Sequence, residues 1–318
     1  MSSVMGGLTP KIAPHEIRYI KLGQEGRWAP ISLAQGELHF GYRTIPHELC
    51  LKGEWEAVAQ ILVKEGRSIG KAHDGVREIR DFYALGWDCL WITFVDGHLH
   101  WAIADTEVTW HGPEEEGRGA RSRKTVDGWH NANVAGEPLR IDRLSTRLTQ
   151  LAAYRQTICK VKAGDYLLRR INAIEEPVVA RAREARSTMT SIASDMIAGL
   201  HWADFETLVD LMFARMGWQR VSRVGENITD VDIVLQQPAT GEVAFVQVKS
   251  KANQAVLDDY LGRFERSGLY DRFFFVCHTL QKSVLPRETD RVHVWTGDRL
   301  ADAAVNAGLF DWLLERSM

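Results

Sequence analysis

Four residues in the last third of the sequence are of the types needed to cut a phosphodiester. Asp232 lies in DVDIVLQQ (residues 230–237), Gln247 and Lys249 lie in EVAFVQVKSK (242–251), and Glu206 lies near the start of DFETLVDLMFARMGW (204–218). Hard cations bind through carboxylate and carbonyl oxygens. Such an ion polarises a phosphoryl group, helps activate water and neutralises the leaving oxygen. Asp232 reads as the principal metal ligand, Gln247 as a neutral oxygen donor, and Glu206 as a carboxylate closing the cluster. Lys249 reads as the cation that orients or helps deprotonate water, or that stabilises transition-state charge.

The surrounding pattern must bring these residues together. In a strand, Asp230 and Asp232 share one face while Val231, Ile233 and Leu235 take the other. QPATGE (237–242) supplies a Pro/Gly turn. On the returning strand Val243, Phe245, Gln247, Lys249 and Lys251 share a face, opposite Ala244, Val246 and Val248. A hairpin would make the polar ends converge. The same alternation also fits lysines that solvate an edge strand. Upstream, Phe205, Leu208, Val209, Met212, Phe213 and Met216 form a helical stripe that Gly217 stops. A helix around 256–268, strands at 271–277 and 291–297 and a terminal amphipathic helix follow. The order predicts an α/β unit with a central mixed sheet.

The front of the chain is organised differently. EIRYIKLG (16–23) alternates like a first strand, and ISLAQGELHFGY (31–42) reads as a short helix, a stop at Gly36 and a strand. Residues 54–68 and 76–86 read as amphipathic helices. Residues 88–110 read as a hairpin turning at Asp96-Gly97. Eleven tryptophans are present, and seven precede residue 135. Core packing and an aromatic pocket for a flat ligand both account for them. Between Arg140 and Arg186 stand eleven Lys/Arg against five Asp/Glu. This basic, helical stretch, broken at Pro177, is the expected linker, and solvated connector and phosphate contact both fit it.

Bulk properties narrow the classes. The 318 residues suffice for two domains, with 45% hydrophobic residues to build their cores. A net charge of −3 confines any nucleic-acid contact to local patches. Apolar runs are too short to cross a bilayer, and the start has no secretory pattern, so a cytoplasmic protein is expected. Four scattered cysteines give no zinc or disulfide spacing. His98 and His100 share a strand face, without a convincing metal spacing nearby. P-loop, GxGxxG and GxSxG motifs are absent.

Glu206, Asp232 and the QxK of Gln247 and Lys249, in that order of elements, resemble the Mrr-type branch of the PD-(D/E)xK restriction-endonuclease-like nucleases. The resemblance covers roughly the last 120 residues. It implies Mg²⁺-dependent DNA cleavage, with Mn²⁺ as a substitute, by these four residues. ITDVD stands where the family often has glycine before the Asp, so Asp230 reads as a second ligand or as a simple substitution, the latter being favoured. The front segments IRYIKLGQEGRW, LAQGELHFGY, VREIRDFYALG and RSRKTVDGW resemble a PUA-like domain of the EVE/YTH kind. That resemblance implies a β-barrel with a modified-base pocket. Trp28, Tyr42, Trp91 and Trp101 are its pocket candidates, though each also suits a barrel core. Arg121, Arg123 and Lys124, with Lys251 of the rear domain, are candidates for DNA-backbone contact.

The expected architecture is therefore an α+β PUA-like barrel domain (1–140), a basic helical linker (141–190) and a restriction-endonuclease-like α/β domain (191–318). The implied activity is modification-dependent restriction of double-stranded DNA, by a homodimer or larger assembly. A nuclease switched on by a signalling nucleotide is the alternative, and an inactive DNA-binding module is a third reading.

Overall fold

The structure is a computed structural model that describes residues 11–113, 117–221, 232–281, 283–285 and 288–318. The chain divides into two compact units, Met1–Glu175 and Glu176–Met318.

In the first unit the order is β1 (Glu16–Ile20), α1 (Ala29–Gln35), β2 (Glu37–Phe40), α2 (His47–Lys52), α3 (Trp55–Lys64) and α4 (Ile69–Ala84). Then come β3 (Cys89–Val95), β4 (His98–Ile103), β5 (Thr109–Trp110), β6 (Arg121–Lys124), α5 (Thr146–Thr149), β7 (Ile158–Lys160) and α6 (Gly164–Ile171). The expected hairpin is β3–β4: Asp96 and Gly97 both take positive φ, 47° and 73°, as a two-residue turn of this twist requires. Gly36 ends α1 in the left-handed conformation, as expected.

The strands form two open sheets, one ordered β4-β3-β1-β7 and the other β2-β6-β5. A closed barrel was expected. Between β4 and β6 the described ladder is reduced to the isolated bridge Ala104↔Thr125, so the two sheets are not zipped into one. The expected linker is corrected too. β7 pairs antiparallel with β1, and Leu148, Leu151, Ile158, Leu167 and Ile171 are buried in the first unit's cores. Apolar burial therefore carries the first unit to Glu175, despite the basic composition of this stretch.

Arg121 and Arg123 depart furthest from expectation. Both are fully buried on β6. Arg121 donates to the Tyr83 hydroxyl at 3.0 Å and to the carbonyls of Tyr42 and Ile45 at 2.8 and 3.0 Å. Arg123 donates to the Asp105 carbonyl at 2.6 Å and to the Phe82 carbonyl, near the end of α4, at 2.9 Å. Enclosed in the interior, neither guanidinium reaches a DNA backbone; exposed Lys124 stays available to solvent. Burial lowers the Arg123 pKa to about 10, opposed by Cys89 and Asp105.

The second unit contains α7 (Pro177–Gly199), α8 (Trp202–Arg215), β8 (Gln219–Arg220), β9 (Ile233–Gln236), β10 (Val243–Ala252) and α9 (Gln254–Ser267). β11 (Arg272–Leu280), β12 (Val292–Thr296), α10 (Gly297–Asn306) and α11 (Phe310–Ser317) complete it. Pro177 opens α7 at its first turn, where a missing N–H costs no helical bond. The sheet order is β12-β11-β10-β9-β8, with β10 parallel to β11 and antiparallel to β9. That is the mixed sheet expected. One face, through Ala244, Val246 and Val248, packs on α7, α8, α10 and α11. The other, through Phe245, packs on α9. The α8 stripe is buried from Phe205 to Phe213, whereas Met216 remains 37% exposed.

Replacing Arg123 by Met should strand buried carbonyls at a cost of about 1–3 kcal/mol for each acceptor left unmade. Chemical denaturation should show this as a lower midpoint. DNA affinity at permissive temperature should keep its salt dependence, because no phosphate contact is lost.

Candidate active site

The strand pairing decides where the polar residues of β10 go. Val246 lies opposite Ile233, so Asp232, one residue before β9, falls beside Gln247 and Val248. The Asp232 carboxylate is held there. Its Oδ2 accepts the Val248 backbone N–H at 2.9 Å and a bond from the Gln247 amide nitrogen. Lys249 Nζ stands 3.5 Å from the same oxygen. The convergence expected of Asp232, Gln247 and Lys249 is therefore present. β10 is paired on both sides, so its lysines do not solvate an edge strand.

Burial grades along the strand. Gln247 is 1% exposed, Lys249 is half-buried and Lys251 is exposed. Gln247 Oε1 is buried without a hydrogen-bond partner. A buried carbonyl oxygen left in this state costs about 1–3 kcal/mol unless something binds it. The amide here presents its nitrogen to Asp232; turned over, it would set Oε1 beside the fixed carboxylate, a pair of oxygens that suits a hard divalent cation. Glu206, on the exposed side of α8, completes the acidic group electrostatically. Partial desolvation raises its pKa, and the Asp232 charge raises it further, against Lys249 and Arg220.

One contributor was missed from the sequence. Tyr260 of α9 places its ring 5.3 Å from Lys249 Nζ and 4.9 Å from the Arg263 guanidinium. It backs the lysine with an aromatic face. Only its helical phase, on the side of α9 that meets β10, carried a signal. Asp230 lies outside the described residues.

Residues 197–304 match the Mrr restriction endonuclease family model. Every residue of this site falls within that span, which supports a DNA-directed nuclease hydrolase of the restriction type. No curated protein and no solved structure matches the chain. Among the described residues, no helix is long and apolar enough to cross a membrane.

The four pocket candidates of the first unit separate. Trp91 is 0% exposed, edge-on to Phe82 and under Arg123, and belongs to the core. Trp101 stacks on His130 and donates its indole N–H to the Ala132 carbonyl at 2.9 Å. It borders a cavity of about 540 Å³ with Trp87 and Trp129. Trp28 and Tyr42 instead share another cavity, of about 600 Å³, with Lys21, Arg27, Arg67 and Arg155. The chain turns sharply beneath it. Gly23 has φ 82°, and a Cβ there would meet the Trp28 ring at 2.8 Å. Tyr42 itself has φ 61°, a strained backbone of the kind found at binding sites.

Buried Glu78 ties this cavity down, accepting the Tyr42 hydroxyl at 2.8 Å and the Thr157 N–H at 3.0 Å. Burial raises its pKa, opposed by those two bonds. A raised carboxyl pKa favours the protonated form in the folded chain. The group's contribution is therefore complete below about pH 4.5, the usual value, and declines as pH rises through the folded value. Glu78→Gln should remove that pH slope from the thermal midpoint, measured across the acid-to-neutral range.

In the second unit, Asp232→Ala or Lys249→Ala should abolish DNA cleavage, by about 10²-fold or more, while leaving DNA affinity within a few-fold. Retained cutting by both variants would remove the assignment. Plasmid nicking and gel-shift assays read the two quantities separately.

Proposed function

We propose that the chain is a modification-dependent DNA restriction endonuclease that hydrolyses phosphodiester bonds near modified bases in foreign DNA. The observation that carries the nuclease part is the convergence of Asp232, Gln247 and Lys249 within the span matching the restriction endonuclease family. The reader part is supported by the cavity that joins two aromatic rings to four cationic side chains.

In this reading Asp232, Gln247 and Glu206 hold Mg²⁺, or Mn²⁺ in its place. The bound ion supplies positive charge for the phosphoryl and leaving oxygens. The residues supply the rest. Val248 N–H fixes the Asp232 carboxylate, so the negative charge is set before DNA arrives. The Lys249 ammonium orients the attacking water and stabilises charge developing on the phosphoryl group. Cutting both strands takes two such sites, so a homodimer or larger assembly is the expected form. Exposed Lys251 lies beyond the centre, where it can meet a DNA phosphate.

A duplex base cannot be enclosed by aromatic rings, so reading it requires extrusion at a cost of roughly a few kcal/mol. Trp28 is 4% exposed and packed in the core under Arg27, so stacking falls to Tyr42, offsetting about 1–3 kcal/mol of this, and Lys21, Arg27, Arg67 and Arg155 match the accompanying phosphates. The bound base would let the protein spare unmodified DNA.

A cleavage panel tests the reading: one plasmid in unmodified, methylated, hydroxymethylated and glucosylated forms, with Mg²⁺. At least one modified form should be cut while the unmodified form survives. Tyr42→Leu should reduce that preference roughly 5- to 150-fold, the equivalent of one stacking interaction. Equal cutting of all forms would overturn the reader. Cutting of unmodified plasmid only after adding a small nucleotide would reassign the cavity to a signalling ligand.

A further inference from the structure

A second constellation lies in the first unit. Among the described residues, Glu37, His39 and His111 bring one potential ligand atom each within 4.8 Å of one another. The local fold explains the meeting. Glu37 and His39 are two apart on β2 and so share a face. β2 and β5 both pair with β6, where Ser122 lies opposite both His39 and Thr109. His111, just after β5, continues that strand by donating its backbone N–H to the Ala120 carbonyl at 2.8 Å. The Ser122 hydroxyl meets His111 Nε2 at 2.7 Å and fixes the ring.

His39 sets this cluster apart from ordinary surface histidines. It is 0% exposed, and neither ring nitrogen has a hydrogen-bond partner. Its Nε2 is 3.5 Å from Glu37 Oε2, too far for a good hydrogen bond. Buried polar atoms are rarely left in this state, and each unmet one costs about 1–3 kcal/mol. The imidazole is therefore aimed at something that can accept its lone pair. Two imidazoles and one carboxylate form a borderline-soft donor set, which suits zinc and its neighbours rather than magnesium. Arg118 adds positive charge near both histidines, and the Glu37 carboxylate opposes it.

We infer that Glu37, His39 and His111 bind one divalent transition-metal ion of the zinc class. Three protein ligands leave a fourth position for water or an anion, which the Arg118 charge would favour. The ion would clamp β2 to the segment after β5; the two already touch through the His39 and His111 rings, their centroids 5.9 Å apart. This site is chemically separate from the oxygen-ligand centre of the second unit.

The test uses the full chain carrying Asp232→Ala, which disables the other centre, after chelator treatment. Zn²⁺ is titrated in competition with a chromogenic chelator, and Co²⁺ is added in parallel to read ligand-field absorption. A single Zn²⁺ per chain is expected, with a rise in thermal midpoint. His111→Ala and Glu37→Gln, both at half-buried positions, should each weaken binding by at least about tenfold. Circular dichroism checks that they fold, and either variant alone decides the matter if the other does not. No zinc binding, or unchanged affinity in a folded variant, overturns the site. Because nuclease activity is not read, failure here leaves the proposed function standing.

Discussion

The grip of β10 on the Asp232 carboxylate is the interaction on which the rest of the second unit depends. One oxygen accepts a backbone N–H, an amide N–H and the field of a lysine, all from three successive residues of one strand. Such a set is possible only if β9 and β10 pair in a single register. A slip of one residue would turn Gln247 and Lys249 to the opposite face and send Val246 and Val248 after Asp232. The register is held from both sides: Val246 and Val248 are buried against the helices of one face, and Phe245 against α9 on the other. Placing this chemistry on the central strand rather than an edge costs desolvation, and in return the charges are pre-positioned.

The first unit uses buried cations for architecture. Arg121 and Arg123 run through its core and bond to main-chain carbonyls from the segment after β2, the end of α4 and the segment after β4. These carbonyls belong to connections between elements, where backbone partners are scarce. An arginine fork can satisfy several at once, and the aromatic rings of Trp110, Phe82 and Trp91 shield the guanidinium groups. The two open sheets are thereby joined through side chains where a continuous ladder is lacking.

This contrast marks what could be read from the residues. Period and turn chemistry are local, so the α8 stripe, the Asp96-Gly97 hairpin and the Asp232 to Lys249 convergence were legible. Burial of a charge is not local. Arg121 and Arg123 alternate on a short strand after a Gly-rich loop, which reads as a solvent-facing phosphate grip until the carbonyls of distant segments are placed around them. The same holds for residues 158–171, whose basic composition suggested a connector although β7 pairs with β1 about 140 residues away. Trp91 and Trp101 looked equivalent on facing strands, yet one lies in the core and the other beside a cavity. Glu37 and His39 offered only an acid and a histidine two apart, and His111 became relevant once β6 had brought β2 and β5 together.

The two ligand clusters differ in a way that bears on selectivity. Around Gln247 the donors are oxygens, one neutral and buried and the others anionic, with a lysine alongside. Among the described residues no imidazole is placed with Asp232, Gln247 and Lys249, so a borderline-soft ion would gain little over a hard one beyond its general advantage in affinity. Around His39 the donors include two imidazoles, and a strongly hydrated ion such as Mg²⁺ would have to give up water for nitrogen ligands it binds poorly. If both proposed sites hold ions, the donor chemistry of each would disfavour the ion suited to the other. A zinc-class ion in the oxygen centre would still compete by raw affinity, and the Lys249 ammonium beside Asp232 raises the cost of any cation that cannot be held by several oxygens at once. Under the proposed metal-binding reading, selectivity in the second unit would rest on the number of oxygens that Asp232, Gln247 and Glu206 offer together, and the register of β10 would set how many reach one ion.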